Sequence, residues 1–268
     1  MSDAAPAVGR PVPLHTVRVV VPARNEELLL PGALSALRLA LDHLARTHPD
    51  VRADVTVVLD ACTDATADVV AAAPWVRSHA VDSGTVGAAR SAGVETTGAE
   101  TTGAETTGAD GISAGRADPE DGAAVWVAST DADSRVPVDW LSVLVELADD
   151  GADLVLGTVQ PDPADTPPAQ LAAWHRRHDL AEDHPYVHGA NLGIRLSAYR
   201  AAGGFGAGAA HEDVRLARRV RAGGGLVVAT DRIRVTTSGR GTGRAPAGFA
   251  GYVRSLASRL PSSGPTPA

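Results

Sequence analysis

The sequence predicts an α/β domain in which helices flank a mostly parallel sheet. Its 268 residues are enough to bury one large hydrophobic core, and a content of 44% hydrophobic and 21% charged residues is typical of globular proteins. Runs of β-branched residues alternate along the chain with segments of helical spacing. Strands separated by helices in this way indicate right-handed βαβ units, which build a parallel sheet.

The alternation begins near the start of the sequence. Residues 17–21 read Val-Arg-Val-Val-Val, a run rich in β-branched residues that is ended by Pro22, and we expect a buried parallel strand there. Leucines recur at three- and four-residue spacing over 34–44, which predicts a helix that ends before His48. A second buried strand is predicted over 55–59. The further predicted elements are a short helix over 64–73, a strand over 76–81, a helix over 85–94, a strand over 125–128, a helix over 138–147 and a strand over 154–159.

A low-complexity segment interrupts this alternation. The unit Glu-Thr-Thr-Gly-Ala occurs three times within 95–109, and polar, glycine-rich sequence continues to 122. A five-residue period fits neither a helix nor a strand, so we expect a mobile surface loop, with a functional lid as the alternative. We also expect a flexible N-terminus over 1–14 and a disordered tail over 261–268.

The composition excludes several classes of function. A net charge of −8 and only 3% aromatic residues argue against nucleic acid as a partner. The 24 basic residues are all Arg, which excludes a lysine Schiff base and a Walker-A phosphate loop, and the single Cys62 excludes an internal disulfide. No apolar run approaches the roughly 18–20 residues of a membrane span, and no secretory signal is evident. We therefore expect no transmembrane segment and a cytoplasmic location.

The strongest local signal is a pair of carboxylates at the end of a strand. Residues 126–133 read Trp-Val-Ala-Ser-Thr-Asp-Ala-Asp, so a hydrophobic strand runs directly into Asp131 and Asp133. A spacing of two places both side chains on the same side, and two like charges held together need a cation between them. The pattern indicates a metal site. The alternative is that one Asp caps the helix beginning near Pro137 and the other is solvated.

Two other predicted strands also end in polar and acidic residues. Residues 21–27 read Val-Pro-Ala-Arg-Asn-Glu-Glu, and residues 59–66 read Leu-Asp-Ala-Cys-Thr-Asp-Ala-Thr. Ligands of open α/β sheets bind outside the carboxyl ends of the strands. We expect these two segments to lie at the same edge of the sheet as Asp131 and Asp133.

Three more segments complete an ordered set of six motifs. They are Gly87-Ala88-Ala89-Arg90-Ser91-Ala92-Gly93, then Gly189-Ala190-Asn191-Leu192-Gly193-Ile194-Arg195 followed by Gly203-Gly204-Phe205, and finally Glu212-Asp213 with Leu216 and Arg219. The six motifs occur in the same order as in the family 2 glycosyltransferases, which have the GT-A fold. Across residues 17–260 the chain therefore resembles this family. Two positions depart from the family pattern, since Leu59 replaces the first Asp of the usual pair and Ser91 stands where Asn is usual.

The resemblance implies a GT-A-like domain over 15–260, with a nucleotide-sugar half over 15–133 that contains the 95–122 insertion, and an acceptor half over 134–260. It implies that the nucleotide sugar is contacted by Pro22, Ala23, Arg24, Glu26, Asp60, Arg90 and Asp131. It implies a divalent cation (Mn²⁺ or Mg²⁺) bound to Asp131 and Asp133, and a catalytic base at Asp213. The acceptor-side positions that it implies are Gly189, Ala190, Asn191 and Glu212. The segment 236–240, together with Arg244, resembles a family segment near the diphosphate.

The activity that the resemblance implies is inverting, metal-dependent transfer of a sugar from a UDP- or GDP-sugar to an acceptor hydroxyl. A diphosphate brings about two negative charges beside the carboxylates, so a divalent ion is physically required. One alternative is a nucleotidyltransferase on the same scaffold, and another is a nucleotide-sugar-binding module without turnover. For Asp213, the alternative is that an acidic residue simply favours a helix N-terminus.

Histidines cluster in one third of the chain, at His175, His178, His184, His188 and His211. Their spacings do not indicate zinc, which needs ligands that converge on one point. One of them could instead complete the divalent site or line the acceptor pocket.

Overall fold

An eight-stranded sheet forms the centre of the protein. The computed structural model describes residues 12–99, 122–206, 208, 210–240 and 251–252. The strands are β1 (Thr16–Ala23), β2 (Arg52–Asp60), β3 (Arg77–Val81), β4 (Val125–Ser129), β5 (Ser134–Arg135), β6 (Leu154–Pro161), β7 (Leu192–Arg195) and β8 (Val227–Thr237). Their order across the sheet is β3-β2-β1-β4-β7-β6-β8-β5.

The sheet is mostly parallel, which confirms the prediction. β1 pairs in parallel with both β2 and β4, β2 pairs in parallel with β3, and β6 pairs in parallel with β8. β7 runs antiparallel to its two neighbours, β4 and β6, and the two-residue β5 is antiparallel to β8. β7 therefore lies between a parallel block of four strands and the strands from the C-terminal half.

Seven α-helices flank the sheet within the described residues up to 240, and a 3-10 turn of helix over Gly122–Ala124 precedes β4. The α-helices are α1 (Leu30–Thr47), α2 (Thr66–Ala71), α3 (Val86–Ala99), α4 (Trp140–Asp149), α5 (Pro168–His175), α6 (Leu196–Ala201) and α7 (Glu212–Ala222). None of these helices is both long and apolar enough to cross a membrane.

Hydrophobic clusters cover both faces of the sheet, and β1 shows how the sequence produces them. Val19 and Val21 pack into a cluster with α1 and α4, whereas Val20 packs into a second cluster with α3, α6 and α7. All three valines are fully buried. A strand covered on both faces reads as a continuous apolar run, which is why 19–21 shows no polar alternation.

The structure corrects the boundary between α3 and the repeat. The sequence predicts a helix over 85–94 followed by a loop, but α3 continues to Ala99 and includes the first Glu-Thr-Thr-Gly-Ala unit. Within this part of the helix the Thr96 hydroxyl donates to the Ala92 carbonyl and the Ser91 hydroxyl donates to the Glu95 carboxylate. These polar side chains therefore have hydrogen-bond partners inside the helix. The rest of the repeat lies outside the described residues, as do residues 1–11, Arg244 and the predicted tail.

Candidate active site

A cavity of about 550 Å³ opens at the carboxyl ends of β1, β2 and β4. These three strands are parallel neighbours, so the segments that follow them meet at one edge of the sheet. The residues predicted from the sequence that line this cavity are Pro22, Ala23, Arg24, Glu26, Asp60, Arg90, Asp131, Asp133, Gly189, Ala190, Glu212 and Asp213.

Sharp turns direct the chain into the cavity after the first two strands. Asn25 follows β1 with φ of 55°, and Ala61 follows β2 with φ of 48°. Non-glycine residues are uncommon in this left-handed region, and such strain is found mostly at functional sites. The Asn25 side chain accepts a hydrogen bond from the Thr63 backbone N–H at 2.7 Å, which links the two turns.

Asp60 is held rigidly at one end of the cavity. Its side chain is almost fully buried, and Oδ1 accepts hydrogen bonds from the backbone N–H groups of Ser83 at 2.7 Å and Gly84 at 3.3 Å. The guanidinium of Arg24 lies 3.9 Å from Oδ2. Asp60 therefore presents a fixed carboxylate between the end of β2 and the start of α3.

Asp133 belongs to a charged network with the segment after β8. Arg240 makes two hydrogen bonds to Glu26, at 2.6 and 2.7 Å, and a third to Asp133 at 2.9 Å. Burial and the charge of Asp131 raise the pKa of Asp133 to about 6, although Arg240 acts in the opposite direction. The carboxylate of Asp133 thus lies in a site that strongly favours a positive partner.

Arg90 joins the two halves of the site. From α3, one Nη donates to Asp131 Oδ1 and the other donates to Glu212. Burial alone would lower the pKa of Arg90, but the charges of Asp131 and Glu212 raise it overall. A Cβ on Gly189 would lie 2.5 Å from the guanidinium carbon of Arg90, so only glycine fits at this position.

Asp213 lies in the first turn of α7 and is directed by backbone groups. Its Oδ2 accepts a hydrogen bond from the Gly189 N–H at 2.8 Å, and its Oδ1 accepts one from the Val214 N–H at 2.7 Å. His211, with φ of 61°, precedes the helix. The carboxylate is therefore fixed at the cavity wall.

Asn191 lies outside the set of cavity-lining residues. It is fully buried, and its amide donates to the carbonyls of Thr158 at 2.8 Å and Ile233 at 2.7 Å. Its oxygen accepts a hydrogen bond from Trp140 Nε1 at 2.9 Å. These bonds connect β6, β8 and α4, so the side chain of Asn191 supports the segment after Ala190 from inside the core.

The structure also brings residues to the cavity that the site prediction did not assign. Five of them carry rings, namely Trp174, His178, His188, His211 and Tyr252, and two more polar side chains, Thr237 and Ser238, lie at and just after the end of β8. The histidine cluster was the available sequence signal for this wall. Trp174 and Tyr252 carry no such signal, because an isolated aromatic residue is more often part of a core.

The donor set suits a hard divalent cation whose coordination is completed by a substrate. Among the described residues, no group of three or more His, Cys, Asp and Glu side chains is arranged to hold a metal ion. Asp131 and Asp133 supply two carboxylates, and the raised pKa of Asp133 reflects their mutual repulsion as well as burial. Mg²⁺ is usually bound through one or two carboxylates together with waters and substrate phosphates. The residues present fit such an ion.

The order of the strands, the flanking helices and the cavity at the strand ends define an α/β protein of the GT-A fold. Solved structures share this architecture. A mannosyltransferase from Pyrobaculum calidifontis in complex with GDP-Man and Mn²⁺ matches with a TM-score of 0.56 and 20% identity, covering 90% of this chain and 61% of that one. S. aureus TarS 1-349 matches with a TM-score of 0.55 and 15% identity, covering 83% and 60%.

A third similar structure is GalNAc-T7 with UDP, GalNAc and Mn²⁺, with a TM-score of 0.56, 12% identity, and coverage of 87% of this chain and 46% of that one. The chain thus spans between 46% and 61% of the length of these three solved chains. No model of a known protein family matches the sequence, and no curated protein matches it. The likeness is one of fold, and it confirms the GT-A fold expected from the six motifs.

Proposed function

We propose that the protein is an inverting, metal-dependent glycosyltransferase of family 2, which moves a sugar from a UDP- or GDP-sugar to an acceptor hydroxyl. The observation that supports this most directly is the convergence of Asp60, the Asp131–Asp133 pair and Asp213 in one cavity. The GT-A fold adds support, because solved neighbours with that fold include complexes with UDP and with GDP-Man and Mn²⁺.

The donor would occupy the end of the cavity at β1 and β2. Pro22 and Ala23 form the wall at the end of β1, and Arg24 and Asp60 supply charged groups at the nucleotide position. Arg24 is half-exposed, with 47% of its side chain accessible, so it can reach a ligand. Glu26 acts on the donor through Arg240, which it holds at the diphosphate end of the cavity.

Asp131 and Asp133 would hold the divalent ion against the diphosphate. At 4 Å and an effective dielectric constant near 20, each carboxylate–phosphate repulsion is on the order of 4 kcal/mol, so these two residues oppose donor binding without a cation. When bound, the ion neutralises the diphosphate and stabilises its departure. Arg90, whose own side chain is buried, keeps the Asp131 carboxylate in place through a partly buried hydrogen bond.

Asp213 would act as the general base. Its carboxylate takes the proton of the acceptor hydroxyl, the hydroxyl oxygen forms a bond to the anomeric carbon, and the bond from that carbon to the diphosphate oxygen breaks. The Gly189 and Val214 N–H groups orient the carboxylate for this transfer. A single displacement of this kind inverts the anomeric configuration.

The metal requirement is tested by calorimetry. We expect UDP or GDP to bind the wild-type protein with Mn²⁺ and to bind much more weakly with EDTA. Asp133→Asn should remove this dependence on the metal, because the amide has no charge to offer the ion. Asp42→Asn, on the exposed face of α1, is the matched control and should behave as wild type. Equal binding in every condition would contradict the assignment of Asp131 and Asp133.

The base is tested by turnover of Asp213→Asn. Asn keeps the size of Asp and can accept one of its two backbone hydrogen bonds, but it cannot accept the proton, and a positioned general base typically contributes about 10²–10⁴-fold. We therefore expect turnover to fall by about that factor while donor affinity stays nearly unchanged. Loss of donor binding would instead place Asp213 with the nucleotide, and a product of retained anomeric configuration would exclude this mechanism.

The reaction products distinguish the alternatives. A glycosyltransferase releases a nucleoside diphosphate, whereas a nucleotidyltransferase on the same scaffold releases pyrophosphate. A protein that binds nucleotide sugars and releases neither product across a panel of donors and acceptors would be a binding module.

A further inference from the structure

Arg240 places a positive charge directly on the Asp133 carboxylate. Its Nη2 donates a hydrogen bond to Asp133 Oδ2 at 2.9 Å. The other carboxylate oxygen, Oδ1, lies within hydrogen-bond distance of the hydroxyls of Thr237, at 3.2 Å, and Ser134, at 3.3 Å. A cation bound to Asp133 would therefore meet the charge of Arg240 at this carboxylate.

Glu26 anchors Arg240 independently of Asp133. Nη1 and Nη2 of Arg240 donate to the two Glu26 oxygens at 2.7 and 2.6 Å, which is a bidentate geometry. The Glu26 side chain is only 7% exposed, whereas that of Arg240 is 23% exposed. Each Nη carries two hydrogens, so the pairing with Glu26 uses one hydrogen of Nη2 and the bond to Asp133 uses the other. The bond to Asp133 can therefore break while Arg240 stays on Glu26.

The remaining donor of Arg240 is unsatisfied. Its Nε is buried and has no hydrogen-bond partner among the described residues. A buried donor without a partner costs free energy, so this position of the guanidinium does not satisfy all of its donors. Arg240 also lines the cavity, which gives the side chain room beside it. A shift of the guanidinium away from Asp133 thus breaks no bond at Nε.

Each carboxylate of the Asp131–Asp133 pair has an arginine partner. Asp131 pairs with Arg90, and Asp133 pairs with Arg240. These arginines offset part of the repulsion between the two carboxylates, so the pair attracts a further cation less strongly than it would alone. A divalent ion adds two positive charges beside Arg240, and like charges this close repel each other. Arg240 is the arginine with room to move, because the side chain of Arg90 is buried and is also bonded to Glu212.

A diphosphate offers Arg240 another partner. Arg240 lines the same cavity as Asp131 and Asp133, where the proposed function places the donor diphosphate. Guanidinium groups bind phosphate oxygens and carboxylate oxygens through the same charge-assisted hydrogen bonds. A phosphate oxygen can therefore accept the Nη2 hydrogen that leaves Asp133, and Asp133 becomes available to the cation.

We propose that Arg240 competes with the divalent cation for Asp133, and that a bound diphosphate relieves this competition by accepting the Arg240 N–H. The proposal rests on the proposed function, because it assigns the regulation of the same cavity. A cation alone binds weakly, since it must displace Arg240 without compensation. A cation and a nucleotide bind strongly together, and each raises the affinity of the other by the same factor. The site therefore holds little metal when no donor is present.

The test compares metal binding with and without nucleotide at pH 7.5. Binding of Mn²⁺ alone is followed by electron paramagnetic resonance of the free ion, whose signal falls as the protein takes it up. Binding of UDP and GDP is followed by calorimetry, once with saturating Mn²⁺ and once with EDTA. Arg240→Gln removes the competing charge, and Arg240→Met, which fills a similar space, repeats the measurement if the first variant does not fold.

Two further variants are the controls. Arg24→Gln removes a charge at the nucleotide end of the same cavity, where Arg24 lies 3.9 Å from Asp60. Arg232→Gln removes an exposed charge of β8 that pairs with Glu146. The first controls for the total charge of the cavity, and the second controls for the substitution itself.

We expect Mn²⁺ alone to bind Arg240→Gln about 10-fold more tightly than wild type, because one repelling charge is gone. Arg24→Gln and Arg232→Gln should stay within about 3-fold of wild type, because both leave Arg240 on Asp133. The ratio of the nucleotide Kd in EDTA to that in Mn²⁺ should fall about 10-fold in Arg240→Gln, which is the reciprocal measure of the same coupling. Mn²⁺ complexes of the free nucleotide form equally in every sample and cancel in the comparison.

Two outcomes would overturn the inference and leave the proposed function standing. In the first, Mn²⁺ alone binds the Arg240 variants no more tightly than wild type, so Arg240 is at most a ligand of the diphosphate or a structural residue. In the second, Arg24→Gln tightens Mn²⁺ binding as much as Arg240→Gln does, so the effect is one of total charge. Absence of nucleotide binding by wild type in every condition would instead count against the proposed function, while the series with Mn²⁺ alone would still decide whether Arg240 competes.

Discussion

At the scale of single residues, Arg90 has the most consequential environment. It is buried, and its guanidinium contacts both Asp131 and Glu212. Breaking a buried ion pair by removing one partner typically costs about 3–5 kcal/mol, because it leaves an uncompensated buried charge. We expect Arg90→Met to lower the free energy of unfolding at pH 7 by about that amount, as measured by urea denaturation.

The matched control for Arg90 is Arg38. It forms an exposed pair with Asp42 on α1, four residues apart, with 53% and 43% of the two side chains accessible. Exposed pairs contribute only about 0–1 kcal/mol, so Arg38→Met should have a small effect. If the two variants lose equal stability, the buried bridge between the donor and acceptor halves does not contribute as described.

A second residue-scale prediction concerns His188 and acid. Its pKa is about 4 in the folded protein, against an ordinary value of 6.5, because of burial and of the nearby His184 and His178, with Asp213 opposing. The stabilisation from the neutral ring is complete above pH 6.5. Between pH 6.5 and 4 the unfolded chain binds more protons at this position than the folded chain, so the free energy of unfolding falls as the pH falls.

His188→Gln should therefore make unfolding less sensitive to acid. In urea denaturation at pH 7.5, 6 and 5, we expect the stability of wild type relative to the variant to decrease steadily as the pH falls. His175→Gln, on the surface, is the matched control for the substitution itself. A constant difference between wild type and His188→Gln across the series would show that the ring is not buried as described.

Asp60 and Asp131 lie at the carboxyl ends of two strands that are recognisable in the sequence, so their position at one edge of the sheet was predictable, whereas their roles remain predictions. The sequence did not show the partners of these residues. Arg90 reads as a contact to the nucleotide sugar, which remains a prediction, whereas its two carboxylate contacts lie 41 and 122 residues away along the chain. Separations of this size carry no local pattern.

At the scale of elements, the packing of α3 on the sheet depends on a glycine. A Cβ on Gly93 would lie 2.5 Å from Val20 Cγ1 and 2.8 Å from Val58 Cγ2. The helix lies so close to β1 and β2 that a methyl group forces it outward. Overpacking of this kind typically costs about 1–3 kcal/mol, so we expect Gly93→Ala to lower the free energy of unfolding by that amount in urea.

Gly32, in α1, provides the contrast. The nearest atom to its added Cβ would be Arg135 Cδ, at 4.0 Å, which is ordinary contact. Gly32→Ala should stabilise the protein by about 0.4–1 kcal/mol, because alanine loses less conformational freedom on folding. Destabilisation by Gly32→Ala equal to that by Gly93→Ala would indicate a general intolerance of side chains at glycine positions.

The strands predicted from the sequence are those with regular hydrophobic patterns, namely β1, β2, β3, β4 and β6. The strands β5, β7 and β8 were not predicted, and each has a physical reason. β5 has only two residues, which cannot show a period. β7 is only four residues long, which is too short to show a period. β8 contains three charged residues, Asp231, Arg232 and Arg234, which are not typical of a strand. Arg234 pairs with Asp231 and Arg232 pairs with Glu146 of α4, and these pairs become apparent only when the chain has folded.

At the scale of the whole molecule, the fold class was predictable because the first four parallel strands follow a simple repeating order of strand and helix. The order of the C-terminal strands was not, since β7 enters between β4 and β6 and reverses direction. Such an insertion depends on the packing of both neighbours and leaves no local signal in either. The order and direction of the C-terminal strands are therefore known from the structure and not from the sequence pattern.

The position of β8 has a consequence for how the protein forms. β8 lies between β6 and β5, and Arg240, just after it, bonds to Glu26, which is 214 residues earlier. Contacts of such long range must wait until most of the chain is available, and proteins dominated by them fold slowly. A growing chain that already contains β6 but not yet β8 exposes an unpaired strand edge, which invites pairing with other chains. We expect newly made protein to need protection from aggregation until residue 240 has been added.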